Sequence, residues 1–269
     1  MFYSLPDTYS KAFINIAQIG ILINLNSGEY TRIMKIAAVS DIHSPKYLRE
    51  FVESLKIRKY HDIALVLLAG DIIDKGAVSF MRPVINAIKK TFKSRIIGIY
   101  GNEEYDSVKN DIKREFNDVI WLDDETYFYE TSDIKVAIVG SRGVLDRPTW
   151  WQQRNIPNIR EIYLARIKKI ESLLRAVPKN YKKILLTHYS PTYATLVGED
   201  KRVWPMLGSR RLEKIILNTR PKIVIHGHAH RSVKVEAWLR GVRIINVAFP
   251  ARKEVTVIDF SEGLEKYLI

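Results

Sequence analysis

The chain of 269 residues contains no cysteine. That absence excludes disulfides and thiolate metal sites, so any metal must be held by nitrogen and oxygen donors, and it fits a cytoplasmic protein. A long apolar run is also missing. The richest N-terminal stretch, AFINIAQIGILI from Ala12, is broken by Asn15 and Gln18 and falls short of the roughly 18 residues that a membrane span needs. It carries neither a basic n-region nor a small-residue cleavage site, so neither a membrane partner nor a targeting signal is expected. Glutamine is scarce, with three residues, and the 30 Asp and Glu are outnumbered by 43 Lys and Arg, for a formal charge of +13. A field of that sign attracts phosphate-bearing partners in general. Ile, Lys and Arg in abundance with little Gln also describe the charged surface of a thermophile protein, which is the plainer reading; a nucleic-acid partner is the second. The clusters KKTFKSR at 89–95 and KNYKK at 179–183 sit where helix ends and turns are expected.

What is present is an apolar content of 46%, enough for a sizeable core. From Met34 onward, short β-branched runs alternate with helical patterns. KIAAVS (35–40), IALVLLAG (63–70), RIIGIYG (95–101), KVAIVGS (135–141), KILLTH (183–188), KIVIHG (222–227), VRIINV (242–247) and EVTVIDF (254–260) read as buried strands. One helix carries Leu48, Phe51, Val52 and Leu55 on a face; a second carries Ile159, Tyr163, Ile167, Ile170 and Leu174, with Asn158 and Glu161 spaced as a capping box; a third follows Ser209 with Leu212, Ile215 and Ile216. Strand followed by helix, repeated, means an α/β domain. We place that domain at 34–269 and treat 1–33 as an N-terminal extension of uncertain role, because MKIAAVSDIH at Met34 looks like a natural domain start.

In open α/β sheets, ligands bind beyond the carboxyl ends of the strands. Five of the predicted strands are followed by metal-capable side chains: Asp41 and His43, then Asp71 and Asp74, then Asn102 with Glu103 and Glu104, then His188, then His228 and His230. Alone, each is more often a helix cap or a turn residue. Together, in order, they predict a metal site.

The order DxH, GDxxD, GN, H, GHxH resembles the calcineurin-like metallophosphoesterase superfamily over about residues 34 to 260. The resemblance implies a four-layer α/β-β/α sandwich of two mixed β-sheets with helices outside. It also implies a binuclear metal centre: Asp41, His43 and His230 on one ion, Asn102, His188 and His228 on the other, and Asp71 bridging. Such ions lie about 3.5 to 4 Å apart, lower the pKa of a shared water, and clamp phosphate oxygens for in-line attack by a bridging hydroxide. Mn is favoured, with Fe, Zn or Co as alternatives. With two divalent ions, Asp41, Asp71 and one hydroxide, the core carries about +1. His226 lies within the preceding strand and reads as a buried support, His61 as a surface residue, and Asp74 as lying outside the ligand set.

One position departs from the family. Where a His usually follows GN, this chain has Glu103 and then Glu104. Ionised and facing the substrate, the two would bring the core to about −1 and repel a dianionic monoester more than a monoanionic diester. With its pKa raised by the neighbouring carboxylate, Glu103 would instead serve as general acid. The third reading has it pointing into solvent. Glu103, Glu104 and Arg142 are the candidate catalytic residues. Arg142 and Arg147 sit in SRGVLDRPTWW (141–151), where an arginine grips phosphate and Trp150 or Trp151 either stacks on a base or seats the following helix, the latter being favoured. GEDKRVWP (198–205) is a candidate lid.

The expected activity is therefore hydrolysis of a small phosphoester, phosphodiesters before monoesters. A nuclease using the basic field is one alternative. The other is a metal-binding interaction subunit, since some proteins of this fold, as in the retromer coat, have lost catalysis. Homodimerisation is a habit of the family.

Overall fold

A computed structural model describes residues 34–57 and 59–260, together with the backbone of three short strands before them, β1 (Phe13–Ile16), β2 (Ile21–Asn24) and β3 (Tyr30–Arg32). These three pair antiparallel in a sheet of their own. The expectation that 1–33 form an extension falls mostly outside the described residues.

Two larger mixed sheets carry the fold. The first contains β4 (Met34–Val39), β5 (Ile63–Leu68), β6 (Arg95–Ile99) and β7 (Ile120–Leu122), mutually parallel, with β14 (Thr256–Phe260) antiparallel beside β4. The second runs in the order β12-β13-β11-β10-β9-β8, from β12 (Glu236–Leu239), β13 (Val242–Asn246), β11 (Ile223–His226) and β10 (Lys182–Thr187) to β9 (Lys135–Ser141) and β8 (Glu125–Glu130). Its four inner strands are parallel, and both edge strands are antiparallel.

The strands read as unbroken apolar runs because both of their faces are covered. In β4, Ile36 and Ala38 face the core between the sheets, while Ala37 and Val39 face a helical layer. In β10, Ile184 and Leu186 join the same central core while Leu185 points to the opposite helices. Helices α1 (Leu48–Ile57), α2 (Met81–Thr91) and α3 (Lys109–Glu115) cover the first sheet. Helices α5 (Ile159–Ala176) and α6 (Arg210–Thr219) cover the second, while α4 (Trp150–Asn155) precedes α5 and the short α7 (Phe249–Arg252) precedes β14. The result is helix, sheet, sheet, helix, as expected.

Two local expectations divide. Ser209 caps α6 by accepting from the Leu212 N–H. Asn158 forms no capping box with Glu161: its backbone is left-handed, at φ 55°, and its side chain makes no cap. The box is built one helix earlier, where Thr149 and Gln152 exchange hydrogen bonds at the start of α4.

Candidate metal centre

The loops leaving β4, β5, β6, β10 and β11 are stitched together by their backbones. Asp41 N–H donates to the Gly70 carbonyl, His43 N–H to Asp71, and Gly227 N–H to His188. Close approach is possible because glycines face carboxylates. A Cβ on Gly101 would collide with the Asp71 carboxylate, and one on Gly227 with that of Asp41. Asp41, His43, Asp71 and His228 adopt positive φ of 57°, 44°, 51° and 68°. They are four of eleven such non-glycine residues among the described ones, and a conformation that is costly in isolation is held here by the packed strand tips.

Asp41 and Asp71 are buried, and histidines surround them. His230 Nε2 lies 2.7 Å from Asp41 Oδ1, and His43 Nε2 lies 3.4 Å from His230 Nε2. Asp71 Oδ2 stands between the two groups, 3.2 Å from His188 Nε2 and 3.7 Å from His43 Nε2. Donor atoms of Asp41, Asp71, His188 and His228 fall within 4.8 Å of one another, as do those of Asp41, His43 and His230. Asn102 closes the ring, its Oδ1 being 3.0 Å from His188 Nε2. The seven residues expected as ligands are thus brought together.

Two details suit these residues to divalent cations. The His188 Nδ1 lies 2.9 Å from the Ala69 carbonyl, which can only accept, so the proton sits on Nδ1 and Nε2 faces the cluster. His228 Nε2 is buried without a hydrogen-bond partner, and its lone pair, left unused, is what a cation would take up. His226 differs. Its Nδ1 bonds the Gly227 carbonyl and its Nε2 the Thr195 hydroxyl, so no lone pair is left for a metal, and burial lowers it to about 4. His61 is exposed, and Asp74 lies behind His43 with its Oδ1 3.5 Å from Nδ1.

The electrostatics are those of a cluster balanced by protons. Burial would raise Asp41, yet the charge and hydrogen bond of His230 hold its carboxyl well below the usual range. Asp71, likewise pushed up by burial, is lowered overall by His188. Burial opposes a charged His43 and a charged His188, but Asp41 and Asp71 outweigh it and raise both to about 9. His228, buried beside the His188 charge, falls to about 3.

The candidate catalytic residues separate. Glu103 is half-buried at the rim; its Oε2 accepts from the Lys75 N–H at 2.8 Å and its Oε1 from the Asn102 amide at 3.2 Å. That second bond turns the Asn102 oxygen toward His188. Glu104, expected beside it, is fully buried and turned away. Its carboxylate accepts from the N–H groups of Asp71, Ile72, Ile73 and Gly101, so it fastens the loops that carry Asp71 and Asn102 and has no access to substrate. Burial and the Asp71 charge raise its carboxyl. Arg142 donates to the Glu104 carbonyl and to Asp106, each at 3.0 Å, and lines a cavity beside the centre.

Two openings meet there. A shallow basin above the ligands is rimmed by Glu103, Glu199, Leu207 and Arg231. A cavity of about 440 Å³ adjoins it, and Asn102, Glu103 and His228 line both. Arg231 carries no signal in the sequence, and Glu199 lies in the GEDKRVWP segment expected as a lid. They arrive together because the Arg231 N–H donates to the Glu199 carboxylate at 2.7 Å, which holds Glu199 at the basin rim. The tryptophans do not seat a helix: Trp150 and Trp151 are 70% and 57% exposed, and Trp151 lines the cavity. Arg147 reaches the Arg202 carbonyl instead of the rim.

A family described as calcineurin-like phosphoesterase matches residues 34–232. No curated protein matches the chain. Among solved structures, the phosphopantetheinyl hydrolase PptH of Mycobacterium tuberculosis is similar at 14% identity and a TM-score of 0.62, over 82% of this chain and 91% of that one. GAP50, the anchor in the inner membrane complex of Plasmodium, is similar at 12% identity and a TM-score of 0.52, over 86% and 77%. TT1561 of Thermus thermophilus is similar at 14% and 0.50, over 84% and 99%.

Proposed function

The chain belongs to the calcineurin-like phosphoesterase family, and from that premise we propose that it hydrolyses phosphodiesters in preference to monoesters at a pair of divalent cations. Asp41, His43 and His230 would hold one cation and Asn102, His188 and His228 the other, with Asp71 shared. Such cations supply a water of lowered pKa and polarise phosphate oxygens. The chain's own residues do the rest. Ala69 fixes the His188 tautomer, Glu103 aims the Asn102 oxygen, and Glu104 locks the two loops in register.

The observation that carries the diester preference is the pair of carboxylates, Glu103 and Glu199, on the basin rim. Only Arg231 opposes them among the charged rim side chains, so the rim leans negative. A second negative charge on the substrate is repelled there, and a dianionic monoester carries one more than a diester. The position where the family has His serves here to orient Asn102 and to screen charge. No helix among the described residues is long and apolar enough to cross a membrane.

The test is a pair of chromogenic phosphates, one diester and one monoester, with wild type and with Glu103→Gln and Glu199→Gln. We expect kcat/KM to favour the diester in the wild type and monoester turnover to rise in both variants. Preference of the wild type for the monoester would overturn the reading. The formal charge of +13 favours a second reading, a nuclease. Cleavage of DNA or RNA whose rate falls steeply with salt would support it. The fold alone does not separate hydrolase from anchor, since PptH and GAP50 share it; the intact ligand set is what favours catalysis.

A further inference from the structure

The cavity beside the metal basin has a composition the phosphate chemistry does not require. Tyr105 and Trp151 stand on its wall with their rings nearly parallel, 16° apart, and their centroids 6.3 Å from one another. Both are substantially exposed, at 37% and 57%. Ile156 and Tyr189 add apolar surface. Trp151 is held there by α4, whose capping box at Thr149 and Gln152 fixes the first turn of the helix. Tyr105 lies four residues beyond Gly101 and packs its ring against Gly76.

We propose that this cavity takes the base of a nucleotide ester, so that the substrate's leaving arm is a nucleoside; the inference rests on the phosphoesterase reading above. Three observations support it. First, Asn102, Glu103 and His228 belong to both openings, so a phosphate in the basin directs one ester arm into the cavity. Second, Tyr105 and Trp151 stack on each other and are both exposed, so a planar ring can extend the stack on an outer face, though not enter between them, and about 440 Å³ is in the range of pockets that take a small ligand. Third, the Glu103 and Asp106 carboxylates line the cavity with Lys75 and Arg142; each carboxylate accepts hydrogen bonds from the protein, and its remaining lone pairs can accept from sugar hydroxyls.

The cavity also limits the kind of recognition to expect. Gln152, the one amide beyond Asn102 in the lining, is buried and largely engaged: its oxygen accepts from Thr149 N–H and the Tyr163 hydroxyl, and its nitrogen donates to the Tyr189 hydroxyl. It has no free acceptor, and one remaining N–H is all it offers a base edge. Stacking is tolerant of the base. Purine and pyrimidine nucleotides should therefore bind within a few-fold of each other.

The experiment is calorimetric titration of the Mn²⁺-loaded protein with AMP, CMP, adenosine, ribose and inorganic phosphate. Wild type is expected to bind AMP on the order of tenfold tighter than phosphate. Trp151→Ala and Tyr105→Ala should abolish that advantage and leave phosphate binding unchanged. Trp151→Phe, which keeps an aromatic face, should retain it, as should Trp150→Ala, whose side chain does not line the cavity. Equal affinity of wild type for AMP and phosphate, or an AMP advantage that survives both alanine variants, would overturn the proposal. If phosphate does not bind, the phosphoesterase reading fails on its own and adenosine decides the cavity. Adenosine binding that is lost in Trp151→Ala supports it, and adenosine binding no tighter than ribose overturns it.

Discussion

Replacing Glu104 with Gln changes one atom in a buried side chain, and the consequence can be worked from its partners. Oε2 accepts from Asp71 N–H at 2.8 Å and Gly101 N–H at 2.7 Å, while Oε1 accepts from Ile72 N–H at 2.7 Å and Ile73 N–H at 3.2 Å. A glutamine amide placed either way therefore points its NH2 at two backbone donors. Hydrogen bonds to a charged acceptor contribute about 1.5–3 kcal/mol each, and two are lost. Removing a buried charge relieves desolvation and returns part of this. A net loss of about 2–4 kcal/mol is expected in urea unfolding of the metal-free protein, with weaker metal retention because the loops bearing Asp71 and Asn102 separate. Glu103→Gln, half-buried at the rim, is the control and should cost less than about 1 kcal/mol. If Glu104→Gln unfolds within about 0.5 kcal/mol of wild type, a shift no larger than that of an ordinary surface substitution, Glu104 does not fasten these loops.

Asp71→Asn should reduce the bound metal measured by elemental analysis and lower turnover by at least about a hundredfold, since a ligand placed between both sets of donors is lost; His61→Ala, on the surface, should change neither. Metal affinity should rise with pH between about 6.5 and 9, because His43 and His188, both raised to about 9, must lose protons to bind a cation. The sign for the metal-free protein is the reverse. Folded pKa values above the unfolded value of about 6.5 stabilise it fully below that pH, and the contribution is lost as pH rises through about 9, which thermal unfolding across that window will show. A metal affinity flat over the same range would refute the protonated cluster.

Much of this site is legible in the sequence because strand ends are predictable. β4, β5, β6, β10 and β11 announce themselves as apolar runs, and the residues just past them lie at the carboxyl ends of the strands of two sheets. That logic gathers Asp41, His43, Asp71, Asp74, Asn102, Glu103, Glu104, His188, His228 and His230, and the family resemblance picks out the seven that the fold draws together as candidate ligands. It has no purchase on the edge strands β7, β8 and β12, which are short or, like ETYFYE, partly exposed and polar. It also misses Glu199 and Arg231, whose meeting depends on a hydrogen bond from the Arg231 N–H to the Glu199 carboxylate, across 32 residues of sequence. Glu104 reads wrongly as a rim carboxylate because adjacent residues look equivalent in a sequence; in the fold, one reaches the rim and the next turns under the loop. Trp150 and Trp151 mislead for a related reason, since a tryptophan pair at a helix start suggests burial, and only the placement of α4 shows both exposed. Asn158 has a capping residue's identity but a left-handed backbone that points its side chain elsewhere.

The most direct test of the account is stepwise reloading of metal-stripped protein with Mn²⁺ while hydrolysis of a phosphodiester is followed. No turnover is expected without metal, and activity should climb to a plateau at two ions per chain. Two ions bound with no hydrolysis of diester, monoester or nucleotide ester would contradict it and leave the chain a metal-binding interaction subunit of the same fold.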